Sequence, residues 1–131
     1  MRKSGVLHAR LAALLTELGH TDTLVVADAG LPVPPGVERI DLALVPSVPG
    51  VIDTLQAVLA ELAVESAVVA EELAERSPAM STALNRLLRD LPVRSVPHEE
   101  FKRLTASARA VVRTGECTPY ANILLVAGVP F

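Results

Sequence analysis

Leu24-Val25-Val26-Ala27 is an uninterrupted apolar run, and it is followed directly by Asp28. A short run of this kind is typical of a strand buried on both faces, as in a sheet that is covered by helices. Upstream of it, leucines recur at the helical period and the segment ends at Gly19. The sequence around the run therefore predicts a helix, a buried strand and a polar strand end in direct succession.

The same alternation of helix-like and strand-like segments continues to the end of the chain. Further strands are predicted at residues 40–45, 64–70, 93–96, 110–113 and 122–127. Helices are predicted between them, with apolar faces spanning residues 52–62 and 77–91 and a shorter helix at 98–108. No linker or internal repeat interrupts this order. We therefore expect residues 1–131 to form a single three-layer α/β/α domain whose sheet of about six strands is largely parallel or mixed.

Composition excludes several classes of function. Half of the 131 residues are hydrophobic, yet the chain has only one tyrosine, two phenylalanines and no tryptophan. A net charge of −3 leaves no basic surface for phosphates, so we expect no nucleic-acid partner. No apolar run approaches the about 20 residues of a membrane span, and we expect no membrane partner. The N-terminus does not resemble a signal peptide and Cys117 has no disulfide partner, which predicts a cytoplasmic protein.

The patterns of common cofactor and metal sites are absent from the sequence. Its seven glycines do not fall into a dinucleotide-binding or P-loop spacing. The chain has no G-x-S-x-G nucleophile motif. Its three histidines are scattered and its one cysteine stands alone, so no metal site is predicted.

Polar side chains stand near the ends of the predicted elements. Asp28 follows a strand, where open α/β sheets collect ligands, although an aspartate there can equally cap a turn. His98 follows another short strand and can also be the first residue of the next helix. His20 follows a helix end, where a histidine is often only a favourable cation near the helix dipole. His8 lies within the predicted first helix and is assigned to its solvent-facing side.

Tyr120 and Asn122 alternate with Ala121 and would point to the same side of an extended segment. A hydroxyl and an amide on one side suit a polyol, but a partly buried structural tyrosine explains the same pattern. Lys102 comes one helical turn after His98 and would lie on the same face of the helix. The alternative interpretation is that this lysine simply faces solvent. Together, these residues suit proton transfer or sugar binding without specifying either.

Two longer segments resemble the D-ribose pyranase family. They are residues 19–32, GHTDTLVVADAGLP, and residues 114–125, TGECTPYANILL. Between them, residues 69–72 and 97–102 are similar to that family in type and order. The related fucose mutarotases share the Gly-His and Tyr-x-Asn-Ile-Leu elements, but their loop after the strand aspartate usually differs from residues 29–32. The resemblance therefore favours ribose as the substrate.

This resemblance implies an isomerase that interconverts the pyranose and furanose forms of D-ribose and supplies ribofuranose for phosphorylation. It implies that His20 is the proton donor. The sugar-binding residues that it implies are Asp28, His98, Lys102, Tyr120 and Asn122. Ring opening and closure involve no redox change, so no cofactor is expected. The resemblance also implies a ring-shaped homo-oligomer, such as a decamer, with active sites between subunits.

Two other functions stay open: a mutarotase acting on another monosaccharide such as fucose, and a non-catalytic sugar-binding or regulatory subunit. The chain also poses a geometric problem, because His20 precedes the first strand and Asp28 ends it. The four strand residues between these ends span about 13 Å. One site that contains both side chains requires residues 20–23 to fold back, or a neighbouring subunit to supply one of them. A subunit interface would also account for the apolar excess of so small a chain.

Overall fold

Six strands form one sheet in the computed structural model, which describes residues 1–131. They are β1 (Thr23–Ala27), β2 (Glu38–Asp41), β3 (Val64–Ala70), β4 (Val93–Val96), β5 (Ala110–Arg113) and β6 (Ile123–Ala127). Their order across the sheet is β2-β5-β1-β6-β3-β4. All neighbours run parallel except β6, which is antiparallel to both β1 and β3. The predicted α/β class with a largely parallel or mixed sheet is confirmed.

Helices cover both faces of this sheet. They are α1 (Ala9–Glu17), α2 (Val51–Leu59), α3 (Glu72–Arg76), α4 (Pro78–Leu87) and α5 (His98–Leu104), followed by a 3-10 turn at Thr105–Ser107. Leu24 and Val26 of β1 pack in a core with apolar side chains of α1, α2, α3 and α4. Val25 and Ala27, which point to the opposite face, pack in a second core around Phe101 of α5. This two-sided packing explains why β1 is apolar throughout rather than alternating. None of the helices is both long and apolar enough to cross a membrane.

The second predicted strand is wrong in its extent. The structure places β2 at Glu38–Asp41, because its pairing with β5 ends where Asp41 faces Arg113. The apolar residues after it leave the sheet and form a tight turn, in which Val45 and Val48 exchange backbone hydrogen bonds. Leu44 in this turn is exposed. Apolar character alone therefore placed the end of the strand too late, since a strand ends where its pairing with the neighbouring strand ends.

Two helix predictions also need correction. The helix predicted from residue 77 does begin at Pro78, but a separate short helix, α3, precedes it and α4 already ends at Leu87. At the N-terminus, His8 is not inside a helix. Its Nδ1 accepts a hydrogen bond from the Leu11 N–H at 3.2 Å and caps α1. Leu7, the first of the leucines that recur at the helical period, precedes the helix and is exposed.

The sheet has two chemically different edges. Strands β1 to β5 all end at one of them, and β6 begins there; we call this the carboxyl edge. The opposite edge, where β1 to β5 begin and β6 ends, is the amino edge. Val26 of β1 faces Ile123 and Thr23 faces Val126, so the two ends of β6 lie beside the two ends of β1. Residues that follow β1 or precede β6 therefore lie at the carboxyl edge, and residues that precede β1 or follow β6 lie at the amino edge.

Gly115 locks two loops together at the carboxyl edge. Its N–H donates to the Pro49 carbonyl at 2.8 Å, and its carbonyl accepts from the Ser47 N–H at 2.7 Å. A Cβ at this position would lie 2.7 Å from the carbonyl oxygens of Val45 and Val48. The loop after β5 can therefore approach the turn after β2 only because residue 115 has no side chain.

We expect Gly115→Ala to destabilise the fold by about 1–3 kcal/mol, since the added methyl group meets backbone atoms that cannot move aside. The matched control is Gly19→Ala, because the nearest atom to a Cβ there is the Asp22 carboxylate at 3.7 Å. That variant should stay within about 0.5 kcal/mol of the parent. Urea unfolding at one protein concentration measures both, and equal midpoints for the two variants would contradict the close approach.

Candidate functional site

Asp28 and Asn122 meet at the carboxyl edge, although 94 residues separate them in the chain. The Asp28 N–H donates to Oδ1 of Asn122 at 2.8 Å, and Nδ2 of Asn122 donates to Oδ2 of Asp28 at 3.0 Å. Asn122 is completely buried. The pairing follows from the antiparallel direction of β6, which begins beside the end of β1.

The other carboxylate oxygen of Asp28 organises the loop that follows. Its Oδ1 accepts hydrogen bonds from the N–H groups of Gly30 at 2.9 Å and Leu31 at 2.8 Å. This is the turn-capping role that the sequence left open for an aspartate at a strand end. Asp28 also lines a pocket, so its turn-capping role leaves it at a position where a ligand could bind.

The pocket is open to solvent and has a volume of about 240 Å³. It is lined by Asp28 and residues 30–32 on one side and by His98, Pro119 and Tyr120 on the other. This volume lies below the usual range for ligand pockets, and three of the seven lining residues, Asp28, His98 and Tyr120, carry polar side chains, which suits one small polar molecule. The structure thus brings Asp28, His98 and Tyr120 together, with Asn122 buried behind Asp28.

His98 is held from its backbone and from its ring. Its N–H donates to both carboxylate oxygens of Glu72, each at 3.0 Å. The ring lies edge-on to Tyr120, with centroids 5.0 Å apart, and parallel to Phe101 at 6.4 Å. Its Nδ1 is buried and has no hydrogen-bond partner in the chain. An unpaired buried polar atom costs about 1–3 kcal/mol, and since Nδ1 is shielded from solvent, it is other atoms of His98 that line the adjoining pocket.

Tyr120 does not lie in an extended segment, so the condition under which its side chain and that of Asn122 would point to the same side is not met. Its φ is +65°, in the left-handed region that non-glycine residues rarely adopt. The Asn122 N–H donates to the Tyr120 carbonyl at 2.9 Å and closes a tight turn before β6. Strain of this kind is commonly found at functional sites, where it fixes the direction of a side chain.

Lys102 lies away from the pocket. Its Nζ pairs with Oε1 of Glu99 at 2.8 Å, one turn back on α5. Hydrogen bonding to this ammonium group lowers the pKa of the Glu99 carboxyl. Lys102 therefore has a partner on its own helix, and its side chain is 34% exposed.

His20 lies at the amino edge and is separated from all the other candidate residues. The Thr21 N–H donates to the carbonyl of Ala127 at 2.9 Å, which ties this turn to the end of β6. Residues 20–23 therefore do not fold back towards Asp28. The five residues of β1 at about 3.3 Å each put about 16 Å between the two edges. Within one chain, His20 and the pocket cannot act on the same molecule.

The His20 ring has its own partner at the amino edge. Nε2 lies 2.9 Å from Oε2 of Glu65, and both side chains are partly exposed, at 54% and 42%. Glu65 lies on β3, 45 residues further along the chain. Sequence reasoning missed this residue, because nothing in its local pattern indicates which side chain it faces.

Two further residues missed by the sequence hold the loops of the pocket. Arg113 donates from Nε to the carbonyl of Ala29 at 3.0 Å and pairs through Nη1 with the carboxylate of Asp41. Glu116 accepts a hydrogen bond from the Val51 N–H at 3.1 Å and so provides a partner for the first backbone N–H of α2. Glu116 lies in the segment 114–125 that carries the family resemblance, and Arg113 directly precedes it. This position was the one feature of the sequence that could have pointed to them.

The pocket can recognise a polyhydroxylated molecule, because it offers a carboxylate, an imidazole nitrogen and a phenol within a small volume. No cluster of three or more His, Cys, Asp or Glu side chains in the chain could hold a metal ion. The pocket lacks, within one chain, the second histidine that the resemblance implies for proton transfer.

Comparisons with known proteins give a consistent result. Residues 1–130 match the RbsD / FucU transport protein family. The chain is 53% identical to the D-ribose pyranase of Laribacter hongkongensis and 54% identical to that of Symbiobacterium thermophilum, in both cases over the full length of both chains. Among solved structures, Bacillus subtilis RbsD complexed with D-ribose is 48% identical and superposes with a TM-score of 0.96, covering all of both chains.

We expect Asn122→Ala to destabilise the protein by about 2–3 kcal/mol, because it removes two hydrogen bonds and leaves buried groups of Asp28 unpaired. Asn85→Ala, on the exposed side of α4, is the matched control and should change the free energy of unfolding by about 0.5 kcal/mol or less. Urea denaturation measures both.

Asn122→Asp tests the same contact electrostatically. It places a second carboxylate beside Oδ2 of Asp28, so the loss of stability should be greater at neutral pH than in mild acid, where one carboxylate is protonated. Equal losses at both pH values, or an Asn122→Ala variant as stable as Asn85→Ala, would contradict the assigned role.

Proposed function

The chain belongs to the RbsD / FucU transport protein family, and from this membership we propose that it interconverts the pyranose and furanose forms of D-ribose. The observation that carries the proposal is the full-length match to D-ribose pyranases at 53% and 54% identity. The nearly identical fold of RbsD complexed with D-ribose supports ribose as the ligand of the pocket. An isomerase of this kind supplies ribofuranose to a phosphorylating enzyme.

Ring opening and ring closure each require two proton transfers, and neither requires a redox partner. As the bond between the anomeric carbon and the ring oxygen breaks, the ring oxygen takes a proton from the enzyme. The anomeric hydroxyl loses its proton to solvent and becomes a carbonyl. A different hydroxyl then adds to that carbonyl and the transfers reverse, so that the enzyme ends unchanged. A histidine suits this exchange at neutral pH, and such general acid–base assistance is worth about 10² to 10⁴ in rate.

The pocket residues have distinct proposed roles. The Asp28 carboxylate accepts hydrogen bonds from sugar hydroxyls, while Asn122 holds it in place. The accessible part of the His98 imidazole and the hydroxyl of Tyr120 bind further hydroxyls. Lys102 can reach the sugar only by leaving Glu99, and since exposed ion pairs are worth about 1 kcal/mol or less, that change is easily made.

His20 is the proposed proton donor, and it would act on the sugar held by a neighbouring subunit. The amino edge of one subunit then docks on the carboxyl edge of the next, an arrangement that closes into a ring. Both edges carry exposed apolar side chains that such contacts would bury. Leu44, Val45 and Val48 lie at the carboxyl edge, and Val129 and Phe131 follow β6 at the amino edge.

The proposed assembly is therefore a ring-shaped homo-oligomer, of which a decamer is one form. Its native mass in solution should be several times 13.8 kDa, and a mass near 13.8 kDa would contradict the assembly. We further propose a cytoplasmic location, because Cys117 is exposed and unpaired, as is usual where thiols stay reduced.

Saturation-transfer NMR on D-ribose tests the activity directly. The protein should accelerate exchange between pyranose and furanose signals, and His20→Ala should slow it by about 10² to 10⁴ because the acid–base group is lost. His8→Asn is the matched control, since His8 only caps α1 and asparagine is also a good cap. Acceleration confined to L-fucose, or ribose binding without any acceleration, would reject the proposal in favour of another mutarotase or a binding module.

Mixing two inactive variants tests the shared site. His20→Ala keeps an intact carboxyl edge, and His98→Ala keeps an intact His20. If the variants are unfolded, mixed in equal amounts and refolded into random rings, about one quarter of the interfaces should combine two intact halves and recover that share of activity. A mixture no more active than its components, with mixed rings verified by mass, would show that each site lies within one chain.

A further inference from the structure

The His20–Glu65 pair stands apart from the residues that bind the ligand. Nε2 of His20 lies 2.9 Å from Oε2 of Glu65, whereas Nδ1 of the same ring makes no hydrogen bond within the chain. The carboxylate therefore contacts one nitrogen and leaves the other available. This asymmetry is the observation from which the inference starts.

A local irregularity of β3 aims Glu65 at this ring. Val64 and Ser66 pair with successive residues of β6, so Glu65 between them is an extra residue without a partner. Such a β-bulge redirects a side chain and interrupts regular pairing. Gly128 leaves room for it, because a Cβ there would lie 3.2 Å from the Cβ of Glu65. The backbone is thus shaped around the carboxylate.

The backbone of His20 is fixed on both sides as well. Oδ2 of Asp22 accepts from the Gly19 N–H at 2.9 Å and from Nη1 of Arg109 at 2.8 Å. Thr21 has a φ of +69° and is bonded to the end of β6. With the main chain held in this way, the contact with Glu65 decides where the imidazole points.

We propose that Glu65 is a positioning residue for His20, holding the ring by Nε2 so that Nδ1 exchanges the proton with the sugar. The inference rests on the proposed function of His20. An ionised carboxylate can only accept a hydrogen bond, so the paired Nε2 carries a hydrogen and Nδ1 is the nitrogen that gains and loses its proton. Glu65 also fixes the direction from which Nδ1 meets the neighbouring subunit.

Kinetics separate this role from an ordinary surface ion pair. Glu65→Ala should lower kcat for ring exchange by about tenfold or more, within the about 10² to 10⁴ that general acid–base catalysis contributes. KM for ribose should stay unchanged, because the sugar is bound at the other edge. Glu65→Gln, which can still accept from Nε2, should recover part of the loss. Asp90→Ala, which removes an exposed carboxylate paired with Arg89, is the control and should keep the parent kcat.

A double-mutant cycle gives the decisive comparison. If Glu65 acts only through His20, then adding Glu65→Ala to the His20→Ala variant should cause no further loss. A further loss in that background, a rise in KM, or an unchanged kcat in the single variant would each overturn the proposal.

NMR of ¹⁵N-labelled histidine tests the pair without relying on activity. The parent should show a protected Hε2 signal from His20, which Glu65→Ala removes and Asp90→Ala retains. Absence of that signal from the folded parent would overturn the inference. Because this measurement does not depend on ribose, a protein that shows the signal but fails to accelerate ring exchange would refute the proposed function and leave the pair intact.

Discussion

The antiparallel pairing of β6 between β1 and β3 is the constraint on which the rest of the structure depends. It brings the start of β6 beside the end of β1, where Asn122 fills the space behind Asp28. It also brings the end of β6 beside the turn that carries His20, through the bond from Thr21 to Ala127. A parallel sixth strand would have placed Asn122 at the amino edge, leaving the Asp28 loop without its buried partner.

Under the proposed function, this topology separates binding from proton transfer within each subunit. The carboxyl edge holds a pocket with Asp28, His98 and Tyr120, and the amino edge holds the His20–Glu65 pair. Under the proposed function, each subunit therefore carries two half-sites that face in opposite directions. A head-to-tail ring joins every half-site to its complement. A dimer with one two-fold interface would instead join the same edge of both subunits. The apolar excess of the chain is then explained by the edges as well as by the two cores.

Local pattern was sufficient for features that depend on neighbours in sequence. The run from Leu24 to Ala27 predicted the central strand, and its position before Asp28 predicted the polar strand end. Features that depend on distant partners could not be predicted. The length of β2 is set by β5, and the partner of His20, Glu65, stands on a bulge 45 residues away. The resemblance proposed Lys102 as a ligand, but only the structure shows it paired with Glu99.

The segment 114–125 shows why a family motif identifies residues more readily than their roles. Gly115 is required by the turn that packs on it, and Glu116 satisfies the start of α2. Asn122 holds Asp28, while Tyr120 alone of these four lines the pocket. Most of the motif therefore shapes the loops, and only part of it lines the pocket. The single tyrosine of this chain stands at a strained position because the surrounding loop contacts hold it there, and those contacts are what the motif encodes.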